Sequence, residues 1–396
     1  MRVLFLSASG GLGGSERVLL EIAAALRRAE PAWALGLAAV QQGPLLELAA
    51  GLGLDTFVEP LPERFARVGE SGRSTPRVMA GLALSAVPLG TYRHRLAQRI
   101  STWGPDVVHS HALKTHVLGA WTTPRSARLV WHLHDYLSDR RVSARLMRRY
   151  ANLPAAILAN SLSVAADVQR VCGREVQTIY NTVDLERFTP EGAAADLDLA
   201  SGLAPPPPAT VRIGLVATFA RWKGHGVFLD AIAALGTHRP VRGYVIGGPI
   251  YQTGGSQVSL DELRAAAAQR GLSDHVGFTG FLHDTGPALR ALDVVVHAST
   301  RPEPFGLVVA EAMACGRAVV VSAAGGAAEL VTHGEDALTY APGDVSALTS
   351  NLERLLDPVL RLRLGREARA RAEHRFSRTR LADELRVAYA RALVAA

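Results

Sequence analysis

Two carboxylates, Glu303 and Glu311, lie eight positions apart and flank a junction between two apolar segments. The segment before the junction, ALDVVVHAST, predicts a buried strand, and the one after it, FGLVVAEAMACG, predicts a helix that ends at Gly316. The first amides of a helix have no intrahelical acceptor, and the helix dipole adds partial positive charge there. The junction is therefore predicted to bind an anion such as a phosphate.

The two carboxylates would lie on either side of that anion. At about 1.5 Å of rise per residue, Glu311 lies about two turns into the helix, whereas Glu303 lies at its start. Each carboxylate can accept hydrogen bonds from hydroxyl groups on its own side. A nucleotide sugar presents hexose hydroxyls, a diphosphate and a ribose diol in this order. The alternative is that Glu303 only stabilises the helix dipole and that Glu311 is an exposed helix position.

Two cations, Arg221 and Lys223, follow a predicted strand in the segment VATFARWKGHG. Like charges that cluster at a strand end repel one another unless an anion lies between them. These side chains are predicted to neutralise a diphosphate as it leaves. For Arg221, a surface position on a loop is the alternative.

A glycine loop, SGGLGGSER, joins the first predicted strand to a helix. Nicotinamide dinucleotide binding is not predicted, because Glu16 replaces the third glycine of that fingerprint and no acidic residue ends the second strand. A P-loop is excluded because no Gly-Lys-Ser/Thr follows. Gly13 and Gly14 would let backbone amides approach a ligand closely. A tight strand-to-helix turn without a ligand is the alternative.

Five histidines fall within a short span of the chain: His109, His111, His116, His132 and His134. They occupy alternating strand positions and separate loops, and they lack the helical pair with a glutamate, or the cysteines, that are typical of a zinc site. No metal is expected from this pattern. Asp196 and Asp198 form a D-x-D triplet, but it lies beside prolines and not after a strand, so we discount it as a metal site.

The composition predicts a globular chain with two domains. It has 396 residues, 48% of them hydrophobic and 20% charged. Cys172 and Cys315 allow at most one disulfide, which fits a reducing cytoplasm. The formal charge of +7 favours anionic ligands or an anionic surface. The arginine-rich C-terminal segment has no aromatic stacking platform, so nucleic acid is not an expected partner.

Membrane contact, if present, is expected to be peripheral. No apolar stretch reaches the roughly 20 residues that span a bilayer. The longest candidate, 78–90, contains Pro88 and is flanked by arginines, which would suit a helix on an anionic membrane surface. A core helix with solvated ends is the alternative.

Strands alternate with helical stretches in both halves of the chain, which predicts two mainly parallel sheets with helices on both faces. Prolines 205–208 cannot belong to a helix interior or a central strand, so the segment 191–209 is predicted to be a surface connection, with the change of domain between Asp184 and Val211. Ligands bind outside the carboxyl ends of such sheets. Two domains of this kind are expected to face each other across a cleft.

These motifs resemble those of the family-4 retaining glycosyltransferases, which have the GT-B fold. The run EPFGLVVAE resembles the family's EX7E signature. Lys223 and Gly224 match the end of its G-R-L-x-x-x-K-G segment, whereas Thr218 stands where the arginine usually is. Further landmarks of the family are spread over most of the chain: the GGxER-like loop at Gly13 and Gly14, His134 and Asp135, Asn160 and Ser161, Asn181 and Asp184, Gly247 and Gly248, Gly280, Gly325, Gly326 and Glu329.

The resemblance implies an α/β chain of the GT-B class with two doubly wound Rossmann-like domains. Residues 1–185 would form the acceptor-binding domain and residues 186–377 the nucleotide-sugar-binding domain, and the helix 378–396 would cross back to the first. The implied reaction is transfer of a hexosyl-type sugar from a nucleoside-diphosphate sugar to an acceptor hydroxyl, without a metal or a cofactor. The acceptor would be a cell-surface glycan, a glycolipid or a metabolite, and lipid-linked and polysaccharide acceptors are included. The enzyme would be cytoplasmic, with the inner face of the membrane as a further location.

The resemblance also assigns roles to residues. Glu303 would orient the sugar and stabilise positive charge near its anomeric carbon, and Glu311 would bind the ribose diol. Lys223 and Arg221 would neutralise the diphosphate, and His134 would approach the donor sugar's primary hydroxyl or the acceptor. The remaining substrate-binding candidates are Gly13, Gly14, Thr218 and the amides of Phe305, Gly306 and Leu307.

Two other functions fit the same motifs. The first is a nucleotide-sugar 2-epimerase of the same fold, which would convert the donor to its epimer. The second is a nucleotide-sugar-binding protein without turnover, for which Thr218 is the best support.

Overall fold

The computed structural model describes residues 1–62, 86–249 and 257–394. The chain forms two compact units, the first built from Met1–Thr182 with Arg378–Ala396 and the second from Val183–Ser377. Most of the segment 78–90 lies outside the described residues. Among the helices that the structure describes, none has the length and apolar character needed to cross a bilayer.

The described strands and helices alternate along the chain. The strands are β1 (Arg2–Ser7), β2 (Ala34–Ala39), β3 (Asp55–Val58), β4 (Val107–Ser110), β5 (Arg128–Leu133), β6 (Ala156–Ala159), β7 (Gln177–Thr178), β8 (Val211–Val216), β9 (Val241–Ile246), β10 (Val276–Gly280), β11 (Val294–His297), β12 (Ala318–Ser322) and β13 (Leu338–Tyr340). The helices are α1 (Gly14–Ala29), α2 (Pro44–Gly51), α3 (Ala86–Trp103), α4 (Leu113–Thr122), α5 (Arg141–Tyr150), α6 (Leu162–Cys172), α7 (Leu197–Ser201), α8 (His225–Leu235), α9 (Leu260–Ala268), α10 (Gly286–Ala291), α11 (Leu307–Ala314), α12 (Val345–Arg354), α13 (Pro358–Arg375) and α14 (Arg378–Val394).

Each unit is built around one parallel sheet, as the sequence predicts. The first sheet has seven strands in the order β3-β2-β1-β4-β5-β6-β7, and the second has six in the order β10-β9-β8-β11-β12-β13. The central strands are buried along their length, because helices cover both faces of a doubly wound sheet. The strand order reverses between β1 and β4 in the first sheet and between β8 and β11 in the second. Ligands of open α/β sheets bind beyond the strand ends at such points of reversal.

The last helix, α14, belongs to the first unit, as expected for the GT-B class. Its apolar side chains, including Leu381, Leu385 and Tyr389, lie in the core of that unit together with residues of α1. At its start, the Arg378 guanidinium lies 2.8 Å from the Glu21 carboxylate of α1. Apolar packing and this ion pair therefore fix α14 on the first unit.

The prediction of a surface connection is wrong in one part. The segment contains the short helix α7, and Asp198 in this helix is buried. Asp198, in the D-x-D triplet, lies 2.9 Å from Arg212 and 2.8 Å from Arg242, and it accepts a hydrogen bond of 2.7 Å from the Tyr244 hydroxyl. The two arginines project from neighbouring strands, β8 and β9, and need a counter-charge where they are removed from water. Asp198 therefore has a structural role, because it neutralises two arginines of the second sheet.

Candidate functional site

The loops that follow β8 and β11 lie at the point where the strand order of the second sheet reverses. Lys223 follows β8, in a turn of 3₁₀ helix from Arg221 to Lys223, and Glu303 follows β11. Parallel strands end at one edge of their sheet, so these two loops are neighbours even though they are far apart in sequence.

Lys223 and Glu303 form an ion pair at this edge. The Lys223 Nζ lies 2.5 Å from Glu303 Oε1, and the two side chains are 17% and 12% exposed. The Trp222 ring lies beside the ammonium, with its centroid 4.2 Å from Nζ, which adds a cation–π contact. The pair is thus largely removed from water, and each charge depends on the other.

The second oxygen of Glu303 is held by two polar side chains from the end of β11. The His297 Nε2–H and the Ser299 hydroxyl donate hydrogen bonds of 2.8 and 2.6 Å to Glu303 Oε2. Burial alone would raise the pKa of the Glu303 carboxyl, but Lys223 and His297 outweigh it and hold that pKa well below its usual range. Glu303 is therefore a fixed negative charge at neutral pH.

Gly224 is what allows Lys223 to reach this position. Its φ of +76° is in the left-handed region, and a Cβ there would lie 1.8 Å from the carbonyl oxygen of Ala298. The Thr300 amide also donates a 2.8 Å hydrogen bond to the Trp222 carbonyl. The loop after β8 is thus pressed against the end of β11 at a distance that only glycine permits.

Helix α11 follows Glu303 as the sequence predicts, but it begins at Leu307, after the short non-helical stretch 304–306. Gly306 precedes it with a φ of +93°, and a Cβ at Gly306 would lie 3.0 Å from the Cβ of Ala327. The Gly326 amide donates a 2.7 Å hydrogen bond to the Glu303 carbonyl. The turn at Gly325 and Gly326 therefore packs against the start of α11, so that two glycine-rich turns meet beside the ion pair.

Glu311 lies in α11 as predicted, just over one turn from its start at Leu307, but it is buried, with 8% exposure. The alternative of an exposed helix position is therefore wrong. Phe305 is also buried, and its ring packs against Phe376 with centroids 6.1 Å apart. A contribution from Phe305 to ligand binding is thus restricted to its backbone.

Arg221 and Thr218 are placed less centrally than Lys223. The Arg221 guanidinium lies 3.3 Å from the Glu262 carboxylate of α9, and both side chains are more than half exposed, at 56% and 53%. Thr218 is half-buried just beyond β8. The structure thus groups Lys223 with Glu303 and directs Arg221 toward a neighbouring helix.

The contacts described for the first glycine loop, SGGLGGSER, are made within the loop and with the neighbouring segment around Gln41. The Gly13 amide donates a 3.1 Å hydrogen bond to the Glu16 carboxylate, so the Glu16 side chain caps the start of α1. A Cβ on Gly14 would meet open space, whereas one on Gly10 would lie 2.4 Å from the Gln41 carbonyl oxygen. Close backbone approach is therefore a requirement at Gly10, which the sequence analysis did not single out.

His134 lies in the first unit, just after β5, and its Nε2 lies 3.1 Å from His111 Nδ1. Burial lowers the pKa of His134 to about 4. His109 on β4, His111 directly after it and His132 on β5 bring their imidazoles close together. Side chains two residues apart on a strand share one face of the sheet, so alternation along a strand is compatible with such a cluster.

Two family models match the chain. The model described as "Glycosyltransferase Family 4" matches residues 12–187, and the model described as "Glycosyl transferases group 1" matches residues 210–358. The first match covers most of the first unit and the second most of the second unit, Lys223 and Glu303 included.

Characterised relatives are similar over most of the chain. It is 29% identical to the lipopolysaccharide core biosynthesis mannosyltransferase LpcC of Rhizobium leguminosarum bv. viciae, over 79% of this chain and 93% of that protein. It is 32% identical to the D-inositol 3-phosphate glycosyltransferase of Saccharomonospora viridis, over 74% of this chain and 66% of that protein.

A solved structure resembles the whole chain. The crystal structure of Anabaena Alr3699/HepE in complex with UDP-glucose superimposes with a TM-score of 0.79 at 26% identity, covering 98% of this chain and 99% of that one. The complex of the same protein with UDP gives a TM-score of 0.80 at 25% identity, covering 98% and 100%.

Proposed function

Because this chain belongs to the family-4 glycosyltransferases and has the GT-B fold, we propose that it is a retaining enzyme that transfers a hexosyl-type sugar from a nucleoside-diphosphate sugar to an acceptor hydroxyl. The observation that carries this proposal is the Lys223–Glu303 ion pair at the start of α11, where the second sheet reverses its strand order. The donor would bind to the second unit, and the acceptor would bind to the first.

The charges at this edge suit a diphosphate. An ammonium group has three N–H donors, and one of them in Lys223 is directed to Glu303. The others can donate to phosphate oxygens, together with the amides of Phe305, Gly306 and Leu307 at the start of α11. These donors meet the charge that develops on the leaving diphosphate, so the proposal needs no metal at this position.

The two glutamates would bind the two ends of the donor. Glu303, ionised and held in place by His297 and Ser299, would orient the sugar hydroxyls and stabilise positive charge near the anomeric carbon. Glu311, just over one turn into α11, would accept hydrogen bonds from the ribose diol. Arg221 would assist at the diphosphate only after releasing Glu262.

The remaining candidates keep the roles that the resemblance implies, as proposals. Thr218 would lie beside the donor, and Gly13 and Gly14 would approach the donor phosphate and the acceptor. His134 would contact the donor sugar's primary hydroxyl or the acceptor.

In the proposed reaction, the bond from the anomeric carbon to the diphosphate oxygen breaks, and the acceptor oxygen bonds to the same face of that carbon. The acceptor proton passes to the departing phosphate oxygen, so the products are the glycoside and the nucleoside diphosphate. No carboxylate nucleophile is needed, unlike in a retaining glycosidase. Exclusion of water would limit hydrolysis of the donor.

The relatives narrow the substrate classes for a first test. The similar Anabaena protein binds UDP and UDP-glucose, and the similar Rhizobium protein is a mannosyltransferase of lipopolysaccharide core biosynthesis. We propose a lipid-linked or polysaccharide acceptor, and a cytoplasmic enzyme that works at the inner face of the membrane.

A donor screen tests the proposal. The purified chain is incubated with UDP-, GDP-, ADP- and TDP-sugars, with and without Mg²⁺, and thermal stabilisation and slow donor hydrolysis are measured. We expect one nucleotide to stabilise the chain without Mg²⁺ and its sugar to be released as the retained anomer. Conversion of the donor to its epimer would instead identify a 2-epimerase, and stabilisation without any turnover in the presence of acceptors would identify a binding protein.

A further inference from the structure

Three buried histidines gather on one face of the first sheet. His109 lies on β4, His111 directly follows that strand, and His132 lies on β5. Ser110 pairs with Trp131 in the register of these strands. His109, His111 and His132 are each one position away from this pair, so their side chains project to the opposite face from it and share one side of the sheet. One ring nitrogen from each lies within 4.8 Å of one from each of the others.

Four ring nitrogens of this cluster lack hydrogen-bond partners within the described part of the chain. Within the described part of the chain, no hydrogen-bond partner contacts Nε2 of His109, Nε2 of His111 or either nitrogen of His132. All three residues are almost completely buried, with exposures of 0%, 4% and 0%. Buried polar atoms without partners are rare and call for an explanation such as a bound ion.

The opposite nitrogens of two of these rings are already held. The Tyr389 hydroxyl of α14 lies 2.5 Å from His109 Nδ1, and His134 Nε2 lies 3.1 Å from His111 Nδ1. These contacts orient both rings and leave Nε2 as the atom available to a ligand. Metal-binding histidines commonly show this arrangement, with the second nitrogen fixed by a neighbouring group.

The chemistry of the cluster selects one class of ligand. Neutral imidazole is the form that binds metal ions. The three-residue group contains no carboxylate, which disfavours Mg²⁺ and Ca²⁺ and favours a first-row transition metal.

We propose that His109, His111 and His132 bind a divalent transition-metal ion, with zinc as the type case, that ties β4 to β5 in the first unit. Tetrahedral zinc with bonds of about 2.1 Å places its nitrogen ligands about 3.4 Å apart, so the rings would rotate toward a common centre on binding. A water molecule would supply the fourth ligand. This ion is separate from the donor chemistry proposed above for the second unit.

Metal counting tests the site. The full chain, purified without a polyhistidine tag, is stripped with a chelator, incubated with micromolar Zn²⁺, desalted and analysed by inductively coupled plasma mass spectrometry. We expect about one zinc ion per chain. His132→Gln should lose the ion, whereas the matched control His116→Gln, which removes a buried histidine bonded through Nδ1 to Ser110 at 2.7 Å, should keep it.

Two further readouts keep the test decisive. Zinc should raise the melting temperature of the wild-type chain but not that of His132→Gln. X-ray absorption of the zinc-loaded wild type should show imidazole ligands, and it decides the question even where His132→Gln fails to fold. Less than about a tenth of an ion per chain, an ion bound by sulfur, or full occupancy in folded His132→Gln would overturn the proposal.

Discussion

The Lys223 ammonium lies 2.5 Å from the Glu303 carboxylate although 80 positions separate the two residues in sequence. The contact exists because the loops after β8 and β11 meet where the second sheet reverses its strand order. A buried charge that loses its partner is costly, so each member of this pair constrains the other. The ion pair thus links the stability of the second unit to the site proposed for the donor.

Removal of the lysine should destabilise the chain as well as reduce its activity. Lys223→Met leaves the Glu303 carboxylate buried without its ammonium partner, and we expect a loss of about 2 to 4 kcal/mol in the free energy of unfolding. The control Arg239→Met breaks the more exposed Arg239–Glu353 pair of the same unit and should cost less than about 1 kcal/mol. Urea denaturation of both variants measures the difference, and equal losses would contradict the coupling.

The loop that carries Lys223 should tolerate no side chain at Gly224. Gly224→Ala forces a Cβ against the Ala298 carbonyl and strains a positive φ, so we expect reduced stability and at least about 10-fold slower transfer. Gly226→Ala is the matched control, because a Cβ there meets open space within α8. It should be neutral or stabilise the chain by about 0.5 to 1 kcal/mol. Similar melting temperatures for the two variants would show that the close approach is unimportant.

Glu311 should affect nucleotide binding more than catalysis. Glu311→Gln keeps the shape of the buried side chain but removes the charge that would accept hydrogen bonds from the ribose diol. We expect the dissociation constant of the preferred nucleoside diphosphate to rise about 10-fold, in line with the loss of a charge-assisted hydrogen bond. Isothermal titration calorimetry measures it, and an unchanged constant would argue against the ribose role.

The contribution of Glu303 to stability should depend on pH in one direction. Because its pKa is lower in the folded chain than the ordinary value of about 4.3, the unfolded chain binds the proton more readily. The stabilisation is complete above about pH 5.5 and declines as the pH falls below about 4.3. The stability difference between the wild type and Glu303→Gln should therefore shrink from pH 6 to pH 3. A constant difference over this pH range would contradict the ion pair.

Local sequence patterns predicted the elements that carry the site but not the contacts between them. The apolar runs around Glu303 and the glycine at 316 were sufficient to predict β11 and α11. The pairing with Lys223 was not predictable, because no local pattern encodes which strand ends become neighbours. Alternation at the end of β11 does place His297 and Ser299 on one side, and this signal could have identified both as partners of Glu303.

The sequence patterns failed mainly to predict which polar side chains are buried inside the fold. Asp198 was read as part of a surface connection because alanines and prolines surround it, yet it neutralises Arg212 and Arg242. Those arginines come from two strands whose adjacency the sequence does not state. The same limitation hid the convergence of histidines from β4 and β5, which depends on strand register.

The central claim is that Glu303 acts on the donor sugar, and the transfer rate of Glu303→Gln tests it most directly. With the donor identified by the screen, we predict at least about a 100-fold loss of turnover, a nucleoside-diphosphate dissociation constant within about 3-fold of the wild type, and a folded chain. Glu335→Gln, which alters an exposed carboxylate of the same unit, should retain wild-type turnover. Turnover by Glu303→Gln within a few-fold of the wild type would contradict the account.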